Sequence, residues 1–132
     1  MRRSLLKKAL MLVAVIFVVN LLAYQFYWYS SIWYFDMIMH AAGGIFLALF
    51  IGGLAHREIK SLGWWNTIVI VLLAVFVIGL LWEWYEYIVQ WLTKPVPFAD
   101  IDDSISDLIC DMVGGILGSI FVLRAKKRYT VK

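Results

Sequence analysis

Four apolar runs, each long enough to cross a bilayer, constrain this chain more than any other feature. The clearest is 67–81, which holds no charged side chain at all. Stretches of about 18 or more mostly apolar residues mark membrane spans. Four are read here, at about 9–26, 36–55, 67–89 and 105–123. Composition agrees: 64% of residues are hydrophobic and 16% are charged, against roughly 45–50% and 25% in a soluble domain. Spans of about 20 residues fill most of a 132-residue chain, leaving only short loops and tails. The expected fold is all-α: a polytopic membrane protein, a four-transmembrane-helix bundle forming one domain over 1–132.

The basic residues orient that bundle. Residues 1–8 hold Arg2, Arg3, Lys7 and Lys8, the 56–66 loop holds Arg57 and Lys60, and the C-terminal tail holds five more. That is eleven of the twelve Lys and Arg (4 + 2 + 5), leaving only Lys94 in the other two loops. Basic loops stay cytoplasmic, so both termini are expected on the cytoplasmic side. The same count removes nucleic acid as a partner, because the basic residues are short flanks of spans and form no continuous patch. A cleaved signal peptide is the rival reading of span 1, but the run is long and no small-x-small site follows it. Cys110 stands alone in an apolar segment and makes no intramolecular disulfide.

Against this background the acids are out of place. Glu83 and Glu86, in the stretch Trp82-Glu-Trp-Tyr-Glu-Tyr87, lie three apart and so on one helix face. A carboxylate at mid-depth in a bilayer costs roughly 2.5–3.5 kcal/mol on insertion scales. With the topology above, Glu86 and Glu83 sit about 4 and 9 Å below the outer end of span 3, and His40 sits about 6 Å below Asp36 at the outer start of span 2. Asp107 and Asp111 open span 4 one turn apart. Eight of the nine acids, all but Glu58, fall on the outer side with only Lys94 to balance them. Buried charges must be paired, protonated or metal-bound.

Small residues share faces with these groups. His40, Gly44, Ala48 and Gly52 recur in steps of four, and Asp107, Asp111, Gly114 and Gly118 in steps of four, three and four. Such spacing lets membrane helices approach closely, so both polar faces are expected to point into the bundle. His56, about 24 Å along the chain's helical path from His40, is expected at the cytoplasmic side and outside any site. Asp100, Asp102 and Asp103 read as solvated loop acids or helix caps, and the Trp and Tyr around Glu83 as an interfacial belt.

One imidazole among carboxylates suits a divalent ion such as Mg, Mn or Zn. The candidate ligands are Asp36, His40, Glu83, Glu86, Asp107 and Asp111, with catalytic roles for Glu83, Glu86 and Asp107. One expectation is a metal-dependent hydrolase or transferase acting on an outer-leaflet lipid or isoprenoid carrier. A second is a non-catalytic envelope protein that binds a lipid, a cationic ligand or a partner. A third is a proton or cation path, which lacks ionisable groups in the cytoplasmic halves of the spans. Membrane lipids are the expected partners in each case.

The order Asp36-x-x-x-His40-x-x-Gly-Gly, then Trp82-Glu83-Trp-Tyr85-Glu86, then Asp103-x-x-x-Asp107-x-x-x-Asp111-Met-x-Gly-Gly resembles the YjdF-like family of small bacterial inner-membrane proteins. More distantly it is similar to the VanZ-like family, although Glu86 lacks the Gln that usually follows and the loop lacks the usual Arg. The resemblance covers about 36–118. It implies a multi-pass protein of the bacterial inner membrane, with a link to glycopeptide-antibiotic resistance among the VanZ-like relatives, and implies no reaction.

Overall fold

The computed structural model describes residues 1–93 and 101–130, with side chains to residue 128. The expected helix-breaking segment 94–97 and Asp100 lie outside the described residues. Six helices follow one another: α1 Arg2–Gln25, α2 Trp28–Ser31, α3 Phe35–Leu54, α4 His56–Ser61, α5 Trp64–Thr93 and α6 Ile101–Thr130. Four of them (α1, α3, α5 and α6) are long and apolar enough to cross a membrane. The all-α, four-span architecture expected from the apolar runs is the one observed.

Helix ends and span ends differ, for a simple reason. Hydropathy reports where the apolar run stops, whereas a helix satisfies its own backbone hydrogen bonds and continues into the polar flank. Hence α1 includes Arg2, Arg3, Lys7 and Lys8, and α5 and α6 each run to 30 residues. Thirty residues measure about 45 Å, more than a hydrocarbon core of about 30 Å.

The 27–35 segment is more ordered than a belt of rings requires. Tyr27 takes a left-handed conformation (φ 58°), the one positive-φ non-glycine residue described. Its carbonyl accepts hydrogen bonds from the hydroxyls of Ser30 and Ser31 at 3.0 and 2.9 Å. These bonds offset the steric penalty of that backbone and turn the chain into α2. Tyr29 and Trp28 then pack edge-on against Phe35 at the start of α3.

The tightest packing is between α3 and α6. A side chain at Gly44 would meet the backbone carbonyl of Asp111, and one at Gly114 would meet that of Ala41. Gly52 faces Val122, and Gly118 faces Ala48. The two helices therefore touch backbone to backbone. Membrane helices gain little from apolar burial against each other, since lipid tails are equally apolar, so close packing of this kind carries their association. α1 leans on α3, where Leu6 covers Gly53, and α5 lies on α6.

Leu5, Ala9, Leu49, Ile59, Val71 and Val122 form the packed core at one end of the bundle. There Lys126 donates to the Leu62 carbonyl and, at 3.5 Å, to the Thr67 hydroxyl, tying the end of α6 to the α4–α5 turn. Both described termini, and every described Lys and Arg, are at this end. Asp36, Glu86 and Asp107 are at the other.

The glycine contacts give the first prediction. Gly44→Leu and Gly114→Leu should each destabilise the bundle by at least about 2–3 kcal/mol, because the new side chain must displace backbone. Gly63→Ala, where nothing lies within 4 Å of an added Cβ, should cost almost nothing. Equilibrium unfolding in mixed detergent micelles reads both; equal stability of all three variants would refute the packing argument.

Candidate functional site

The polar end is assembled by three helices whose local register is simple. On α3, Asp36 and His40 are one turn apart, so both face α6. On α6, Asp107 and Asp111 repeat the same step. On α5, Glu83 and Glu86 share a face with Trp82 beside them. The α3–α6 backbone contact brings the first two pairs together.

His40 is the centre. Its ring is buried (7% exposed), as are Asp107 (2%) and Asp111 (5%). Asp36 Oδ1 lies 3.8 Å and Asp107 Oδ2 3.6 Å from His40 Nε2, while Asp111 Oδ1 lies 3.5 Å from Nδ1 on the opposite edge of the ring. One donor atom each from Asp36, His40 and Asp107 lie within 4.8 Å of one another, and so do one each from His40, Glu83 and Glu86. Asp111 belongs to neither set; it faces the other ring nitrogen. Five acids thus gather around the His40 imidazole, four of them in two groups that share His40, and Asp111 on its other edge.

The two glutamates are held differently. The Trp82 indole N–H donates to Glu86 Oε1 at 2.9 Å. Glu83 Oε1 is buried and has no hydrogen-bond partner among the described residues. Two glycines border Asp111, and Gly79 is the one that makes room for it. A Cβ on Gly79 of α5 would stand 2.7 Å from Asp111 Oδ2, and one on Gly43 of α3 would stand 3.8 Å from Oδ1. A side chain at position 79 would force α5 or the Asp111 carboxylate to shift.

Other groups sort clearly. His56, with Nδ1 buried and unpartnered among the described residues, opens α4 beyond the far end of α3 and takes no part. Asp102 and Asp103 sit exposed in the first turn of α6, where anions suit the helix dipole. Cys110 is half-buried between Asp107 and Asp111 in sequence.

Two residues of the site have no signal in the acid pattern. The Tyr29 hydroxyl donates to Asn20 Oδ1 at 2.7 Å, linking α2 to α1. Burial, followed by the nearby carboxylate of Asp36, pushes the Tyr29 pKa up to about 12. Asn20 is visible in the sequence as a polar break in span 1, but nothing local shows its partner. Trp82, four before Glu86, is the one contact that helical spacing alone could have supplied.

Beside the cluster lies a cavity of about 330 Å³. Asp36, His40, Glu86 and Asp111 line it with Asn20 and Tyr29, and most of the rest of its wall is apolar.

The fold and site define a polytopic helical membrane protein with an acidic, histidine-centred pocket at one end of the bundle. Residues 1–128 match the family described as "Predicted membrane protein (DUF2238)", and the chain belongs to that family. No curated protein and no solved structure matches it.

The raised Tyr29 pKa is testable. An ordinary tyrosine ionises near pH 10; Tyr29, with the neutral phenol favoured by its surroundings, should stay protonated well beyond that. The ultraviolet difference between wild type and Tyr29→Phe should therefore show no tyrosinate from this residue below about pH 11. A difference centred near pH 10 would contradict the geometry.

Proposed function

We propose that this protein is a divalent-metal-dependent enzyme, a hydrolase or transferase acting on an outer-leaflet lipid or isoprenoid carrier of the bacterial inner membrane. The carrying observation is the arrangement at His40 Nε2, with carboxylate oxygens of Asp36 and Asp107 at 3.8 and 3.6 Å. A charge-assisted hydrogen bond would be about 2.7–2.9 Å long. Donors each about 2.0–2.2 Å from one ion stand about 3–3.6 Å apart along the edges of its shell, close to the spacing here. Asp36, His40 and Asp107 are then the ligands. Asp111, on Nδ1, orients the imidazole as carboxylates commonly do behind metal-bound histidines.

Charge balance supports this reading. Five acids (Asp36, Glu83, Glu86, Asp107 and Asp111) surround one imidazole, and every described Lys and Arg is at the other end of the bundle. A bound Mg, Mn or Zn ion would lower that charge, polarise a phosphoryl or acyl oxygen and make water more acidic. Glu83, with one oxygen buried and unpartnered, is placed to accept a proton. Glu86, restrained by Trp82, closes the second donor group. The orientation that puts this end outside rests on the Lys and Arg distribution. The residue order from Asp36 to Asp111 supports a place in the YjdF-like branch, more distant from the VanZ-like proteins.

A non-catalytic envelope protein that binds a cationic ligand is the second reading. The observation that favours it is the exposed aromatic rim of Trp84, Tyr85 and Tyr87 beside the acids, which offers ring faces to a cation.

Manganese separates the two. Purified protein should bind Mn²⁺ in a paramagnetic-resonance titration. His40→Ala and Asp107→Asn should each weaken binding by more than about 100-fold, and Asp111→Asn by about 10–100-fold, the loss typical of an outer-shell partner. Glu58→Gln, at the other end, should change nothing. Absence of binding in the wild type removes the metal-dependent reading and leaves the second.

A further inference from the structure

We infer that the cavity beside His40 receives a single hydrocarbon chain, so that the substrate is a phosphate amphiphile with one chain per headgroup, drawn laterally from the bilayer between α1 and α5. This rests on the reading of the acid cluster as a metal centre.

The cavity has two chemically distinct ends. Asp36, His40 and Glu86 line it nearest the start of α3, Asp111 stands further along beside Gly43 and Gly79, and Ile16 and Phe17 of α1 with Phe46 and Leu47 of α3 line its deeper, apolar part. From Asp36 to Leu47 is eleven residues, or about 16 Å along α3. That is roughly half of a hydrocarbon core of about 30 Å. The cavity therefore runs from headgroup level to mid-bilayer, the direction a lipid chain takes. No apolar path of that length is needed to bind an ion or a soluble ligand.

Its size restricts the occupant. A water takes up about 30 Å³ of liquid, and a methylene is of similar bulk. The 330 Å³ available are on the order of ten methylenes in bulk, that of one chain segment.

The entrance follows from how the helices pack. α1 packs chiefly on α3, and α5 chiefly on α6, so the cavity lies between α1 and α5 with α3 as its floor. α1 is also the least embedded span: 11% of its most apolar window is buried, against 33% for α3 and α6. Phe17 and Trp82 stand largely exposed on the two sides of the opening.

Electrostatics then select the headgroup. Five acids repel an anion unless a divalent ion lies between them. A bound ion favours a phosphate headgroup at the part of the cavity where Asp36 and His40 stand. The chain is held by the apolar wall whether or not the ion is present.

The test is photolabelling in phosphatidylcholine nanodiscs containing Mn²⁺, with hexadecyl phosphate carrying a diazirine in mid-chain. Label should concentrate on Ile16, Phe17, Phe46 and Leu47, at least about tenfold above the lipid-facing Leu73 and Val77. Leu47→Trp and Ile16→Trp, which fill the cavity from opposite walls, should each lower it by a similar factor. Unlabelled hexadecyl phosphate should compete, and dipalmitoyl phosphatidic acid should not. Uniform labelling, indifference to both tryptophans or equal competition by the two-chain lipid would each overturn the inference. Focused labelling in a protein that binds no Mn²⁺ would support the chain site while removing the metal reading. Mn²⁺ binding with uniform labelling would overturn the chain site alone.

Discussion

Everything at the polar end depends on how closely α3 and α6 approach. Gly44 and Gly114 each face a backbone carbonyl of the other helix, and this contact fixes both separation and register. Asp107 and Asp111 are thereby set on either side of the His40 ring. A bulkier pair would move α6 outward by roughly the width of a methyl group or more, since packed interiors do not absorb added volume freely. Separations of 3.5–3.8 Å between ring and carboxylates would not survive that. The small residues hold the chemistry in place as well as the fold.

The same contact makes the site expensive, which is an argument about its purpose. Asp107 and Asp111 are nearly inaccessible and acceptor-only when ionised. One histidine cannot neutralise both of them together with Asp36. A bundle selected for stability alone would replace these groups with apolar residues, which often costs nothing or stabilises. Polar groups retained at such depth are functional by default. Gly79 sharpens the point: α5 gives up a side chain at the position that touches the Asp111 carboxylate.

Much of this was legible before any coordinates, and the limits are physical. The four spans follow from apolar length, and the inward polar faces of α3 and α6 from steps of three and four between acids, His40 and the glycines. Which nitrogen of His40 meets which acid was not legible, because it depends on the rotation of α6 about its own axis. The Tyr29–Asn20 bond was hidden for another reason. It requires the left-handed turn at Tyr27, a conformation that tyrosine seldom adopts and no turn residue announces. The cavity wall on α1 was invisible too, since Ile16 and Phe17 look the same in sequence whether they face lipid or an internal space.

Charge is divided along the bundle axis, and that division links orientation to chemistry. The described cations all gather where α1 begins and α6 ends, while the acids with His40 occupy the opposite end. Among the described residues, no Lys or Arg stands at the acidic end. Lysine or arginine there would neutralise the cluster, but it would weaken the topology signal and occupy the carboxylates. Among the described residues, His40 is the one basic side chain beside these acids. Five acids around one imidazole call for further counter-charge, as bound protons or mobile cations, because buried charges must be paired, protonated or metal-bound.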